Sequence, residues 1–220
     1  GIFIFDAHIL STLDDSADRR IDFIHQALSK LSSALRKVGS ELMIFHGQPE
    51  EIFRQLGPAR VYTNNDYEPY ARKRDKQVTS ILESKGVGFH SFKDQVIFEK
   101  DEVVKDDGRP YTVYTPYSRK WKSLLNDAHV REYDVLSLTG SFKTMEPLPF
   151  PSLEDIGFTT SHTVFPDAVI NDAVIQQYAS HRDYPARAGT SRLSVHLRFG
   201  TISIRDVVRY AREEHASWLN

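Results

Sequence analysis

The sequence predicts an α/β fold: an open, doubly wound parallel sheet followed by the first helices of an all-α domain. Short apolar runs alternate with amphipathic stretches at βαβ spacing from Ile2 to Ser91, which is the pattern of a parallel sheet covered by helices. The first of these runs, Ile2 to Phe5, is continuously apolar rather than alternating, as in strands buried on both faces. Beyond about residue 165 the strand-like runs stop and the spacing becomes helical.

The elements follow in order. Ile2 to Phe5 is a buried strand ending at Asp6. Residues 18–38 carry Ile21, Ile24, Leu28, Leu31, Leu35 and Val38 at alternating spacings of three and four, an amphipathic helix facing the sheet and stopped by Gly39. Leu42 to Phe45 is the second strand, and Ile52, Phe53 and Leu56 form a short helix closed by Gly57-Pro58. Arg60 to Thr63 is the third strand, Pro69 to Glu83 a charged helix, and Val87 to Ser91 the fourth strand. A hairpin is expected between Val103-Val104 and Tyr111–Tyr114 around Asp106-Asp107-Gly108. A short helix from Tyr117 to Leu125 turns Trp121 and Leu124 inward. The expected division is an α/β domain over 1–125, a proline-containing linker over 126–165 and an incomplete helical domain over 166–220.

Composition narrows the function. The chain has 220 residues, 40% of them hydrophobic, and a formal net charge of -2, so any nucleic-acid surface has to be local. With no cysteine, disulfides, thiolate nucleophiles and cysteine-based metal sites are excluded, which fits a cytoplasmic protein. No apolar run approaches the roughly 18–20 residues of a membrane span. The nine histidines show no HxH or HExxH spacing, and no metal is expected. GxGxxG and GxSxG are both absent from the sequence, which removes the fingerprints of a dinucleotide-binding turn and a nucleophile elbow.

The densest chemistry lies near the end. Tyr178, Arg182, Asp183, Tyr184 and Pro185 precede Gly189-Thr190-Ser191-Arg192-Leu193-Ser194. Small hydroxylated residues after a glycine can cap a helix, and the same groups can hold a phosphate. Local chemistry leaves both readings open. Two other groups are also ambivalent: Tyr111, Tyr114, Tyr117 and Trp121 could stack on bases or pack a core, and Arg72, Lys73, Arg74 and Lys76, interrupted by Asp75, read first as a solvated helix face.

The segment Tyr184–Ser203 resembles the flavin-entry segment of the DNA photolyase and cryptochrome family. In that family a Thr, a Ser, a Leu and a further Ser in this spacing hold the pyrophosphate of FAD, joined by a Tyr twelve residues before the Thr. The resemblance therefore assigns FAD binding to Tyr178, Thr190, Ser191, Leu193 and Ser194. It also matches Arg182 to an arginine near the DNA-facing surface, for which a phosphate contact and an ion pair with Asp183 remain alternatives. Tyr111–Tyr117 ahead of Trp121 resembles a further family segment.

The resemblance implies a monomeric deoxyribodipyrimidine photolyase, a carbon–carbon lyase in which light-driven electron transfer from reduced FAD splits cyclobutane pyrimidine dimers in UV-damaged DNA. The alternative is a cryptochrome-type blue-light photoreceptor. It further implies an earlier strand not contained in this sequence, which makes the chain a fragment expected to be inactive alone. Asn64-Asn65-Asp66-Tyr67-Glu68 resembles the segment beside a second, light-harvesting antenna chromophore. The positions matching the folate-binding residues are Tyr70 and Ala71, which argues against a folate bound in the standard way and leaves the antenna type open.

Overall fold

Apolar runs bounded by glycine and proline do become strands, and the periodic stretches between them become helices. The structure, a computed structural model, describes residues 1–214 together with 218 and 219. Its elements are β1 (Ile2–Asp6), α1 (Ala7–Leu10), α2 (Arg19–Lys37), β2 (Met43–Gly47), α3 (Pro49–Gln55), β3 (Arg60–Asn64), α4 (Pro69–Ser84), β4 (Gly88–Phe92), α5 (Tyr114–Leu124), α6 (Asp172–Gln176), α7 (Tyr178–His181), α8 (Ser194–Phe199) and α9 (Ile204–Glu214). Short 3-10 turns lie between α5 and α6.

β1 pairs in parallel with β2, with Ile2 opposite Met43 and Asp6 opposite Gly47. β3 pairs in parallel with β4, with Arg60 opposite Gly88 and Asn64 opposite Phe92. Each pair is joined through a helix, because parallel neighbours need a crossover. The result is the expected open parallel sheet followed by helices.

The chain divides into two compact units, 1–92 with 134–165 and 93–133 with 166–220. In the first, Phe5, Ile21, Leu28, Leu42, Leu153, Ile156 and Phe158 form one buried cluster. The stretch 134–165 thus contributes core side chains to the strand-bearing unit. A second cluster of Phe53, Val78 and Leu82 gathers Ile4, Val61 and Phe89 around it.

The start of α2 is set by Asp18, whose carboxylate accepts from Arg20 N at 2.8 Å, and its end by Gly39 at φ 75°. Its buried stripe differs from the simple periodic one. Leu31 and Val38 are 47% and 44% exposed, while Asp22 and Ser32 are buried. The reason is polar attachment of the returning segment along that flank. Asp22 accepts from Ser161 N at 2.8 Å and Ser161 Oγ at 2.7 Å, and His25 Nε2 lies 2.8 Å from Pro151 O. Although burial opposes it, these bonds from Ser161, with others from Gln26 and Thr160, hold the Asp22 carboxyl below its ordinary range.

In the second unit Ile97, Val130 and Val208 are buried together, with Phe98, Trp121, Leu125 and Ile204 packed on them. Trp121 meets Phe98 edge-on, ring centroids 5.5 Å apart. The expected hairpin is not formed. The turn exists, closed by Lys105 N to Arg109 O at 2.9 Å, but Pro110 has no N–H to continue a ladder, and Tyr114 is already the first residue of α5. Helix α5 therefore begins three residues before its expected start. Among the described residues no helix is long and apolar enough to cross a membrane, and no group of three or more His, Asp or Glu is placed to hold a metal ion. His215 lies outside the described residues.

Candidate functional site

The residues assigned by sequence to a cofactor all fall in the second unit, on α7, on α8 and in the loop between them. Tyr178 is the first residue of α7 and is half-buried. Ser194 is the first residue of α8, while Thr190 and Ser191 lie in the loop before it. Thr190 and Ser194 are exposed, and Ser191 is half-buried. Leu193, the residue preceding α8, is 2% exposed and fixes the loop to the unit's interior.

Close backbone approach explains Gly189. A Cβ placed there would lie 2.6 Å from His181 Cβ and 2.9 Å from both His181 C and O. No side chain fits, so glycine lets the loop carrying Thr190 press against the helix carrying Tyr178. Three residues further on, Arg192 takes φ 54°, a left-handed conformation uncommon for a non-glycine residue and found where a loop is held in a set shape.

His196 locks the other side. It is 6% exposed, with Nε2 2.8 Å from Pro166 O and Nδ1 2.7 Å from Thr201 Oγ1. With Nε2 protonated it donates to the carbonyl and accepts the threonine hydroxyl proton at Nδ1, so α8 is tied at both ring nitrogens. Sequence reading missed this residue, although it sits inside the run that was singled out; its signal was a histidine two positions after a helix-starting serine.

The site hydroxyls are uncommitted. Among the described residues, Thr190, Ser191, Ser194 and Tyr178 make no side-chain hydrogen bond to protein. Hydroxyls on α7, in the loop and at the start of α8 that make no bond to protein are donors of the kind that suits an anionic group accepting several bonds. The donor set therefore fits a pyrophosphate. Arg182 stands over the Tyr178 ring at 5.6 Å and reaches Asp183 at 3.7 Å, so the ion pair considered from sequence is formed, as a long and exposed one.

A second set of residues gathers at the carboxyl end of β1, in the first unit. Tyr70 Oη donates to Asp6 Oδ2 at 2.7 Å, and the His8 ring stacks on Tyr70 with centroids 4.6 Å apart. Burial, then the Asp6 carboxylate, pushes the Tyr70 hydroxyl well above its ordinary pKa, so it stays a donor. Sixty-four positions separate Asp6 from Tyr70, and nothing local in the sequence joins them. Nearby, Asn65 N donates to Phe92 O at 2.8 Å, holding the Asn64–Glu68 segment at the carboxyl edge of β3 and β4, and Ala71 is 4% exposed.

The family model described as DNA photolyase matches residues 1–135. The chain belongs to the photolyase/cryptochrome family. A deoxyribodipyrimidine photo-lyase of Halobacterium salinarum is 34% identical across 96% of this chain and 47% of its own length. An uncharacterised 31.6 kDa protein of Synechococcus is 33% identical over 98% of this chain and 81% of its own. Cryptochrome-1 of Arabidopsis thaliana is 24% identical over 90% of this chain. Among solved structures, an archaeal photolyase from Sulfolobus tokodaii with two FAD molecules aligns with a TM-score of 0.62 at 22% identity, covering 99% of this chain and 49% of that one. The chain thus spans about half the length of the photolyases it matches, and the shared photolyase fold includes the second-unit helices as well as the sheet.

Proposed function

We propose that this chain is the sheet-bearing and flavin-entry portion of a deoxyribodipyrimidine photolyase. The observation that carries the proposal is the Gly189–Ser194 loop, pressed against α7 and presenting hydroxyls with no partner among the described residues. In this reading Thr190, Ser191, Ser194 and Tyr178 donate to the pyrophosphate of FAD, and buried Leu193 keeps the loop in place. The protein's part is to bind and orient, since the chemistry resides in the cofactor. Bound there in its reduced form, FAD would supply the photoexcited electron that splits a cyclobutane pyrimidine dimer. Arg182, exposed and only loosely paired to Asp183, is proposed to contact a phosphate of damaged DNA, which sets position rather than sequence. A second chromophore in the first unit is part of the same reading, near the Asn64–Glu68 segment.

In the full-length parent, reduced and lit with blue light, dimer-containing DNA is expected to regain the ultraviolet absorbance of free thymine. Bound, reduced flavin without any recovery would assign the protein to the cryptochrome branch instead. Full-length protein that folds without flavin would remove the reading altogether.

A finer test addresses one hydroxyl. Ser194→Ala should weaken FAD binding by about 1–3 kcal/mol, the worth of a hydrogen bond to a charged group, read by flavin absorbance titration. Because Ser194 is exposed and has no protein partner among the described residues, the substitution should leave thermal unfolding of the apoprotein unchanged. Equal flavin affinity in the two proteins would take Ser194 out of the site.

A further inference from the structure

Helix α8 has six residues, too few to keep its shape by its own hydrogen bonds. What it buries therefore sets how it lies. Leu193, just before it, and His196 are three positions apart on one face, and both are buried. Ser194 and Arg198, four apart on another face, are exposed. At about 100° per residue, Ser194 stands about 200° around the axis from His196. Whatever seats His196 inward thus aims Ser194 outward.

The two anchors differ in kind. Leu193 is held by apolar burial, which has no direction, whereas the bonds to His196 do. Pro166 O can only accept, so the ring Nε2 that lies 2.8 Å from it carries the proton. In the neutral ring Nδ1 is then a lone pair, and it accepts from the Thr201 hydroxyl at 2.7 Å. These partners sit on either side of α8 in the chain, thirty positions before His196 and five after it. The main chain repeats the second grip: His196 O accepts from Gly200 N and from Thr201 N at 3.0 Å. A leucine at 196 would fill the space with no polar atom to satisfy. What the histidine adds is a fixed rotation of α8 about its own axis.

On the flavin reading of Ser194, on which this rests, we propose that His196 is a positioning residue for the cofactor. Protonated at Nε2, the ring clamps α8 between Pro166 and Thr201 and so aims the Ser194 hydroxyl at the pyrophosphate, without touching the cofactor itself. The action runs through Ser194, because a donor gives its full bond only when held in line with the acceptor. If His196 served the stability of the unit alone, removing it would lower flavin affinity by the same factor with or without the Ser194 hydroxyl.

The test is a double-mutant cycle on flavin affinity in the full-length parent, read by titration of flavin absorbance. Ser194→Ala alone is expected to weaken binding about tenfold. His196→Leu, which keeps the bulk and removes both ring bonds, is expected to weaken it about tenfold or more. In that background Ser194→Ala should cost less than about twofold further. Thr201→Val, at an exposed position, removes only the hydroxyl given to Nδ1. It should weaken binding about fivefold and likewise shrink the effect of Ser194→Ala, which keeps the test decisive if His196→Leu does not fold. In this chain, without flavin, nitrogen NMR of the ring should find Nε2 protonated and Nδ1 bare. An undiminished Ser194→Ala effect in either background, or a ring protonated at Nδ1 instead, overturns the proposal and leaves the flavin reading standing. Unchanged affinity on Ser194→Ala in the otherwise unaltered parent overturns the flavin reading of Ser194, and this proposal with it.

Discussion

Glu41→Ala is expected to destabilise the strand-bearing unit by about 3 kcal/mol, the usual cost of breaking a buried, hydrogen-bonded ion pair. Glu41 is 1% exposed. Its carboxylate accepts from Ser32 Oγ at 2.7 Å, Arg36 Nε at 2.6 Å, Leu42 N at 2.9 Å and Leu148 N at 3.2 Å. One side chain thus joins α2, the approach to β2 and the returning segment, and Arg36 adds a bond to Leu148 O at 2.9 Å. Removing it strands these donors in a place water reaches poorly. Both tryptophans lie outside this unit, so their fluorescence would miss the change. The measurement is amide exchange in α2 and at Leu148, which should accelerate together; unchanged exchange would show the network to be dispensable.

The same carboxylate gives a pH dependence of known sign. Burial opposes ionisation of Glu41, but the four hydrogen bonds prevail and lower its pKa from 4.5 to about 2. A carboxyl depressed in the folded state contributes stability that is fully present above the unfolded value and lost as pH falls through the folded one. Its contribution is therefore lost between about pH 4.5 and pH 2, and Asp22 acts in the same direction. Glu41→Gln, which keeps the shape and drops the charge, should show a shallower loss of stability over that window.

These networks mark the boundary of what sequence could tell. Strands and their helices were legible because each obeys a local rule: apolar runs for β1 and β2, βαβ spacing for β3 and β4, the three-and-four spacing of α2 with Gly39 at its end, proline opening α4. The extra burial on α2 was not legible, because it is made by residues more than a hundred positions away, Leu148, Pro151 and Ser161. The hairpin failed for a local reason that competed with the turn signal: Pro110 cannot donate, and the aromatic run from Tyr114 is helical. At the candidate site, local chemistry favoured an ordinary cap and left an anion cradle open, and only family resemblance chose the second. In the structure no side chain of the run caps the helix: Ser194 is the first residue of α8, Leu193 before it makes no side-chain cap, and Thr190 and Ser191 lie in the loop.

Gly189→Val is the substitution expected to affect the candidate site most. Even a single added carbon would meet His181 backbone atoms at 2.9 Å, a distance that backbone cannot relieve by rotating a side chain. The loop bearing Thr190 and Ser191 must then move away from the helix bearing Tyr178. Overpacking of this kind costs about 1–3 kcal/mol in stability. The cost to binding should be greater, because donors held in a set arrangement lose their joint action when one wall shifts by an ångström. In the full-length parent, flavin affinity is expected to fall about a hundredfold or more, by titration of flavin absorbance, while unfolding shifts only modestly. Ala188→Val is the control: residue 188 is exposed, and a surface substitution there should stay within about 0.5 kcal/mol. If Gly189→Val retains flavin as tightly as Ala188→Val does, the close approach of loop and helix has no part in holding the cofactor.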